Sequence, residues 1–323
     1  MAVALARALG ALLSPAGARA RLAVFCFHQV LEQTDDLRPG EPDRARFAAD
    51  LETIQRLFVV LPLPEAVERL GAGRLPSRAA CITFDDGYAN NHELAAPLLE
   101  RAGLPASFFI AGDAVDRGVM WNDLIIEGVR VKGSNWIVDD LAGVSPAVVE
   151  GNDPAKLVPE ILNLLKYQPL RKRWKIAEAF YRTNADRDPP RLMMERNHVA
   201  DLAKRGFDIG GHTLNHPILK TLTDEDARTE IRGCSRWIEE VTGQSARTFA
   251  YPNGIPDRDF GPAHVAMVKE VGFEAAVSTC WSVAGPASDR YCIPRIGPWW
   301  RTGRSLQSGL LRAYGKSYLR PRG

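Results

Sequence analysis

Three junctions of one kind constrain the fold of this chain more than any other feature. At Arg101-Ala102-Gly103-Leu104, Lys204-Arg205-Gly206-Phe207 and Glu270-Val271-Gly272-Phe273, a charged helix-end segment runs into glycine and an apolar stretch follows. Glycine directly after a last helical turn adopts the left-handed conformation without a Cβ clash, so each junction reads as helix, stop, strand. Such connections in series build βα units and a mainly parallel sheet.

The segments between these junctions fit that plan. LAVFCF at Leu22–Phe27 and AACITF at Ala79–Phe84 are apolar runs of strand length. Further strands are expected over residues 106–110, 207–210, 248–251 and 274–279. Phe47, Leu51, Ile54 and Phe58 recur at helical spacing, and helices are expected over 93–101, 224–241 and 264–271. No apolar run approaches the ~18 residues of a membrane span.

The chain has 323 residues, whereas a (β/α) barrel commonly takes ~200–250. The surplus falls in an N-terminal segment (1–21), an excursion (113–190) within the barrel (22–300), and a tail (301–323). The excursion contains Trp121, Trp136 and Trp174 and a basic cluster of Lys166, Arg171, Lys172, Arg173 and Lys175. It reads as a helical insertion with the cluster on its solvated face, an anionic partner being the alternative. The tail carries six basic residues and no acidic one, with Leu306, Leu310, Leu311 and Tyr314 at near-helical spacing. An amphipathic surface segment in peripheral contact with an anionic membrane is expected there.

Composition removes some classes. At 46% hydrophobic and 25% charged the chain is globular, neither disordered nor collagen-like. A net charge of +2 gives no reason to expect a nucleic-acid partner. Five scattered cysteines without a C-x-x-C pair argue against a disulfide framework or a thiolate metal site. Residues 1–13 are rich in Ala and Leu, and Ala18-Arg19-Ala20 resembles a cleavage site, but Arg7 cuts the apolar stretch short. The expected location is therefore cytoplasmic or membrane-peripheral.

Three motifs carry chemistry. Thr83-Phe84-Asp85-Asp86-Gly87 closes a buried strand, where two adjacent carboxylates are costly unless a cation or a proton separates their fates. Strand alternation points them apart, so one is available to a metal and the other as a base; the same residues also make a good turn. His212-Thr213-Leu214-Asn215-His216-Pro217 follows another strand, and a helical face would aim both imidazoles at one ion. Two imidazoles and one carboxylate leave coordination positions open, as in catalytic metal sites. Tyr251-Pro252-Asn253-Gly254 is a turn whose N–H groups suit an oxyanion. All three lie at C-terminal strand ends, where barrel loops converge.

In that order, TFDDG, HTLNHP and AYPNG resemble the polysaccharide deacetylase (NodB-homology) family, carbohydrate esterase family 4, over about residues 22–297. The resemblance implies a distorted (β/α) barrel that uses a divalent metal, usually zinc, to remove acetyl groups from N-acetylated sugars of a bacterial polysaccharide, oligosaccharide or precursor. Cobalt and nickel suit the same ligands. By motif position it implies Asp86, His212 and His216 as ligands, Asp85 as general base, the Asn253 N–H as oxyanion donor and Thr213 as support of the ligand loop. Tyr251 and Trp281 are the candidates for sugar contact.

Two departures from the family pattern stand out. Ala250 occupies a position where many members carry arginine, and no Leu-x-His follows Gly254 to supply a general acid. Arg295 is the candidate replacement for the arginine, a surface position being its other reading. His28, directly after the first strand, is the candidate acid. An O-acetyl esterase and a noncatalytic sugar-binding barrel are the rival functions.

Overall fold

The computed structural model describes residues 2–132, 153–297 and 313–314. Helix α1 (Ala2–Leu13) precedes β1 (Leu22–Phe27), followed by α2 (Arg44–Leu57), β2 (Val59–Val60), α3 (Leu63–Gly71) and β3 (Ala79–Phe84). A π turn at Asn91–Ala95 runs into α4 (Ala96–Ala102) and β4 (Ser107–Ile110). Helices α5 (Gly112–Arg117), α6 (Trp121–Lys132), α7 (Pro154–Lys166), α8 (Leu170–Asn184) and α9 (Arg196–Lys204) lead to β5 (Asp208–Gly211). The described barrel ends with α10 (Asp224–Thr242), β6 (Thr248–Ala250), α11 (Pro262–Val271), β7 (Ala275–Trp281) and β8 (Ile293–Arg295).

Seven strands follow the order β1-β3-β4-β5-β6-β7-β8, all parallel, and β2 adds to β3. The sheet nearly closes on itself. Beyond β8, the Ile296 N–H donates to Val24 O (2.7 Å) and the Cys26 N–H donates to Ile296 O (3.0 Å). This is the distorted (β/α) barrel that the motifs imply. Gly103, Gly206 and Gly272 stop their helices at φ of 63°, 88° and 105°, conformations that residues with a Cβ adopt only under strain.

Alternation sorts the strand residues onto two faces. Leu22, Val24, Ala79, Cys81, Phe109, Ala250, Val277 and Ile293 meet inside the barrel, and α3 packs with them. Phe25, Phe27, Ile82, Phe84, Phe108 and Phe249 face outward into the helical layer. The inward file continues past the apolar residues to Cys26 and His28 on β1 and to Thr83 and Asp85 on β3. Register keeps these level, with Phe27 opposite Phe84.

The described residues of the excursion are largely helical, with a small core of their own from α6, α7 and α8 that includes Leu124, Ile125, Ile161, Leu165 and Phe180. Its basic cluster departs from expectation. Arg171, Lys172 and Lys175 are exposed, but Arg173 sits on the buried side of α8 beside Trp174 and Ala177, and is only 2% exposed. All five cysteines are free, and none of the described helices is long and apolar enough to cross a membrane. Within the tail, Tyr314 is not a surface residue: it packs in the main core, and Arg21 Nη1 donates to its carbonyl (2.6 Å). Trp136, Trp299, Trp300, Leu306, Leu310 and Leu311 lie outside the described residues.

Candidate active site

The C-terminal strand ends bring two clusters side by side. In the first, ligand-type atoms of Asp86, His212 and His216 lie within 4.8 Å of one another. Both imidazole Nε2 atoms stand 3.4 Å from Asp86 Oδ1, and that oxygen, although buried, accepts no hydrogen bond. His212 Nδ1 donates to Ala250 O (2.7 Å), which fixes the tautomer and turns the Nε2 lone pair toward Asp86. Burial, aided by His212 and Arg173, outweighs Asp86 and pushes His216 down to about 3, so its ring is neutral. Burial would raise Asp86, but His216, His212 and His28 hold it below the ordinary carboxylate value. A buried, ionised carboxylate oxygen without a hydrogen bond, flanked by two imidazole nitrogens, fits a divalent cation.

Backbone geometry forms this cluster, and it is not the helical face that the histidine spacing suggested. His212–His216 is a loop in which Thr213 and His216 take φ of 65° and 52°. Asp86 (77°) and Asn253 (58°) are left-handed too. Four non-glycine residues in this rare conformation at one rim require surrounding contacts that enforce it. Glu230 of α10 supplies some of them, accepting from Leu214 N (3.0 Å), Asn215 N (2.9 Å) and Asn215 Nδ2 (3.0 Å). The Thr213 hydroxyl bonds to His212 O and accepts from His216 N, and Arg173 Nη2 donates to His216 O (3.1 Å).

The second cluster centres on Asp85. Arg295 is buried, at 1% exposure, and donates through Nη1 to Asp85 Oδ1 and through Nη2 to Oδ2, each at 2.7 Å. Its Nε donates to Ser278 O (3.0 Å). A surface role for this arginine is thereby set aside. Where the third motif has only Ala250, a guanidinium still reaches the barrel interior, carried by β8. Burial would raise the Asp85 carboxyl, but Arg295, His212 and His28 hold it far below its usual range. Cys26, whose thiol is pushed well up by burial, donates to Asp85 Oδ2 (3.6 Å). Cys26, His28 and Asp85 also lie within 4.8 Å of one another, but Arg295 already neutralises the carboxylate and would repel a second cation.

His28 is half-buried, with Nδ1 4.0 Å from Glu41 Oε1. Burial opposes its charge, yet Asp86, Glu41 and Asp85 together raise its pKa. It lines a cavity of about 220 Å³ with Asp86, Asn122 and Leu37. Asp86, Asn122 and Leu37 also line an adjoining cleft of about 380 Å³, with His216, Asn253, Trp121, Lys166 and Arg173. The Asn253 N–H donates no hydrogen bond among the described residues and is free for a ligand.

Of the two expected sugar contacts, Tyr251 falls elsewhere. Tyr251 is 0% exposed, stacked on Phe260 at 3.7 Å, and donates its hydroxyl to Tyr291 O. Alternation turns it outward from Ala250 into the helical layer, so its side chain does not face the cleft. Trp281, at the end of β7, is half-buried against the main core. The aromatic residue of the cleft is Trp121, and with Asn122, Glu230 and Arg173 it had no motif to reveal it.

Fold and site together define a (β/α) barrel with a metal-type Asp-His-His cluster at its C-terminal rim. The model of the family described as polysaccharide deacetylase matches residues 72–276, and the chain belongs to that family. In fold it is similar to a Streptococcus pyogenes deacetylase in complex with acetate (TM-score 0.60, 14% identity, 92% of this chain and 99% of that one). IcaB from Ammonifex degensii (0.56, 19%, 88% and 92%) and a de-N-acetylase from Aggregatibacter actinomycetemcomitans (0.56, 16%, 86% and 94%) are similar too. No curated protein matches the sequence.

Proposed function

We propose that this protein is a metal-dependent carbohydrate N-deacetylase that hydrolyses the acetamide of an N-acetylated bacterial glycan or glycan precursor. The observation that carries this reading is the bare, buried Asp86 Oδ1 between two imidazole Nε2 atoms, one residue from an arginine-clamped carboxylate. Asp86, His212 and His216 would hold a divalent cation, zinc first among those that suit the set. Once bound there, the cation supplies Lewis acidity, polarising the acetyl carbonyl and acidifying a water.

The remaining work falls to side chains and backbone. Asp85 accepts the proton of the attacking water. Its clamp by Arg295 makes it a weak base, suited to a water whose pKa a bound cation would lower. The Asn253 N–H donates to the oxyanion as the carbonyl becomes tetrahedral. His28, whose pKa the carboxylates around it raise, gives a proton to the departing amine. Amine expulsion needs that proton and alcohol expulsion much less, so a poised His28 favours the amide over the ester reading.

The test is acetate release from matched N-acetylated and O-acetylated sugars, by metal-stripped and by zinc-restored protein. Zinc-dependent release from the N-acetylated set supports the proposal. Release confined to O-acetyl groups, or none from either set, rejects it.

A further inference from the structure

Among the described residues two arginines are buried, Arg295 and Arg173, and Arg38 is largely so; Arg295 and Arg38 are paired with carboxylates. Arg295 holds Asp85, and Arg38 holds Asp123 (3.0 Å), Glu127 (2.8 Å) and Asp35 (3.2 Å). Arg173 differs. Its Nη1 donates to Lys166 O and its Nη2 to His216 O, both at 3.1 Å, and its guanidinium lies 4.7 Å over the Trp121 ring. Its Nε has no partner, and among the described residues no carboxylate forms an ion pair with it.

Lys166, the last residue of α7, is half-buried and also makes no ion pair among the described residues. Burial lowers both groups, Arg173 only to about 10, so its guanidinium stays charged at neutral pH. The carboxylates whose fields reach them are committed elsewhere. Glu230 is held by the Leu214 and Asn215 N–H groups, and Asp259 by the Ile255 N–H and the Tyr167 hydroxyl. Two carbonyls and an indole face ease the burial of Arg173 but do not neutralise it, and an uncompensated charge in such a place is costly.

Both side chains line the cleft of about 380 Å³ that contains Asp86, His216 and Asn253, and among the described residues Asp86 is the only acidic one in its lining. An anion entering this cleft would meet the Arg173 guanidinium, itself hydrogen-bonded to the carbonyl of His216, with Lys166 in the same lining. We infer that the wall built by α7 and α8 is a subsite for an oxyanion carried by the substrate, on the acetamido sugar itself or on its neighbour. A uronic-acid carboxylate and a sugar phosphate offer the same chemistry. This rests on the deacetylase reading for what lies beside the anion, but the charge argument does not depend on turnover.

The test is calorimetric binding to the full chain. The probes are N-acetylglucosamine, its 1-phosphate, and an N-acetylglucosamine disaccharide with either glucuronate or the neutral glucuronamide. At least one acidic probe should bind about tenfold more tightly than its neutral match, the contribution of roughly one charge-assisted hydrogen bond. The preferred acid tells phosphate from carboxylate. Lys166→Met should reduce the preference severalfold while leaving the neutral probes unchanged. Arg173→Lys, which retains the charge, should keep part of the preference even if its melting temperature falls. Equal affinity for acidic and neutral probes, no detectable binding of either acid, or a preference undiminished in Lys166→Met overturns the inference. Because binding is read without turnover, a protein that prefers acids but releases no acetate would reject the deacetylase reading alone.

Discussion

Arg295 and Asp85 stand 210 positions apart in sequence and meet inside the barrel through two hydrogen bonds of 2.7 Å. The pair is nearly excluded from water, so each charge depends on the other. Removing one partner of such a pair leaves a buried charge uncompensated, which costs ~3–5 kcal/mol, whereas replacing both with apolar groups is often neutral. Asp85→Asn should therefore abolish acetate release and lower stability, but leave bound metal in place. The Asp85→Asn, Arg295→Met double variant should recover most of the lost stability and none of the activity. Denaturant unfolding with metal analysis on the three proteins checks this, and additive losses of stability would show that the two residues act independently.

Cation binding should depend on the three residues of the first cluster and on nothing at Asp85. His212→Ala and His216→Ala each remove one of the nitrogens facing Asp86 Oδ1. Metal content should fall from about stoichiometric to near zero in the double variant. A double variant that still holds one equivalent places the metal elsewhere.

Glu230 touches neither ligand yet sets the loop between them. Removing the carboxylate frees the Leu214 and Asn215 N–H groups and with them the left-handed turn that presents His216. Groups that orient metal ligands typically contribute ~10–100-fold to affinity or activity. Glu230→Ala should weaken zinc binding by that factor, and Glu230→Gln, which keeps one acceptor, by less. A competition titration against a chromogenic chelator measures both. Unchanged affinity in Glu230→Ala would mean that Arg173 and Thr213 suffice to hold the loop.

The parts of this architecture that sequence made legible are those set by local rules. Glycine stops and apolar runs located most of the barrel strands to within a residue or two, because helix termination and strand alternation act over a few residues. β2 and β8, at two and three residues, are too short to leave a periodic signal. The Asp85 partner was open between a barrel and a surface position for that reason: β8 carries it, and its contact is long-range. The histidine pair misled in geometry. Spacing of four suggested a helix, whereas Glu230 and Arg173, distant in sequence, enforce the left-handed turns. Tyr251 was misplaced for the opposite reason. Alternation from inward-facing Ala250 already turned its ring away from the cleft, but its place in a loop motif drew attention to the side chain when the backbone is what reaches the rim.

The departing amine must be protonated, and His28 is the titratable side chain placed to do it. It lies on the inward file of β1, within 4.8 Å of an Asp85 oxygen, and shares a cavity with Asp86. Burial disfavours its charge, but Asp86, Glu41 and Asp85 more than offset this, so its folded pKa stands above that of a free imidazole. An acid works only while protonated, so kcat should fall as pH rises through that pKa. His28→Gln should lower kcat by ~10²–10⁴ at its optimum, erase the alkaline limb of the profile and leave metal content unchanged. Glu41→Gln removes one of the raising charges and should shift the limb to lower pH without abolishing it. A His28→Gln enzyme with a near-normal kcat and an intact alkaline limb would assign the proton to Asp85, returning what it took from water.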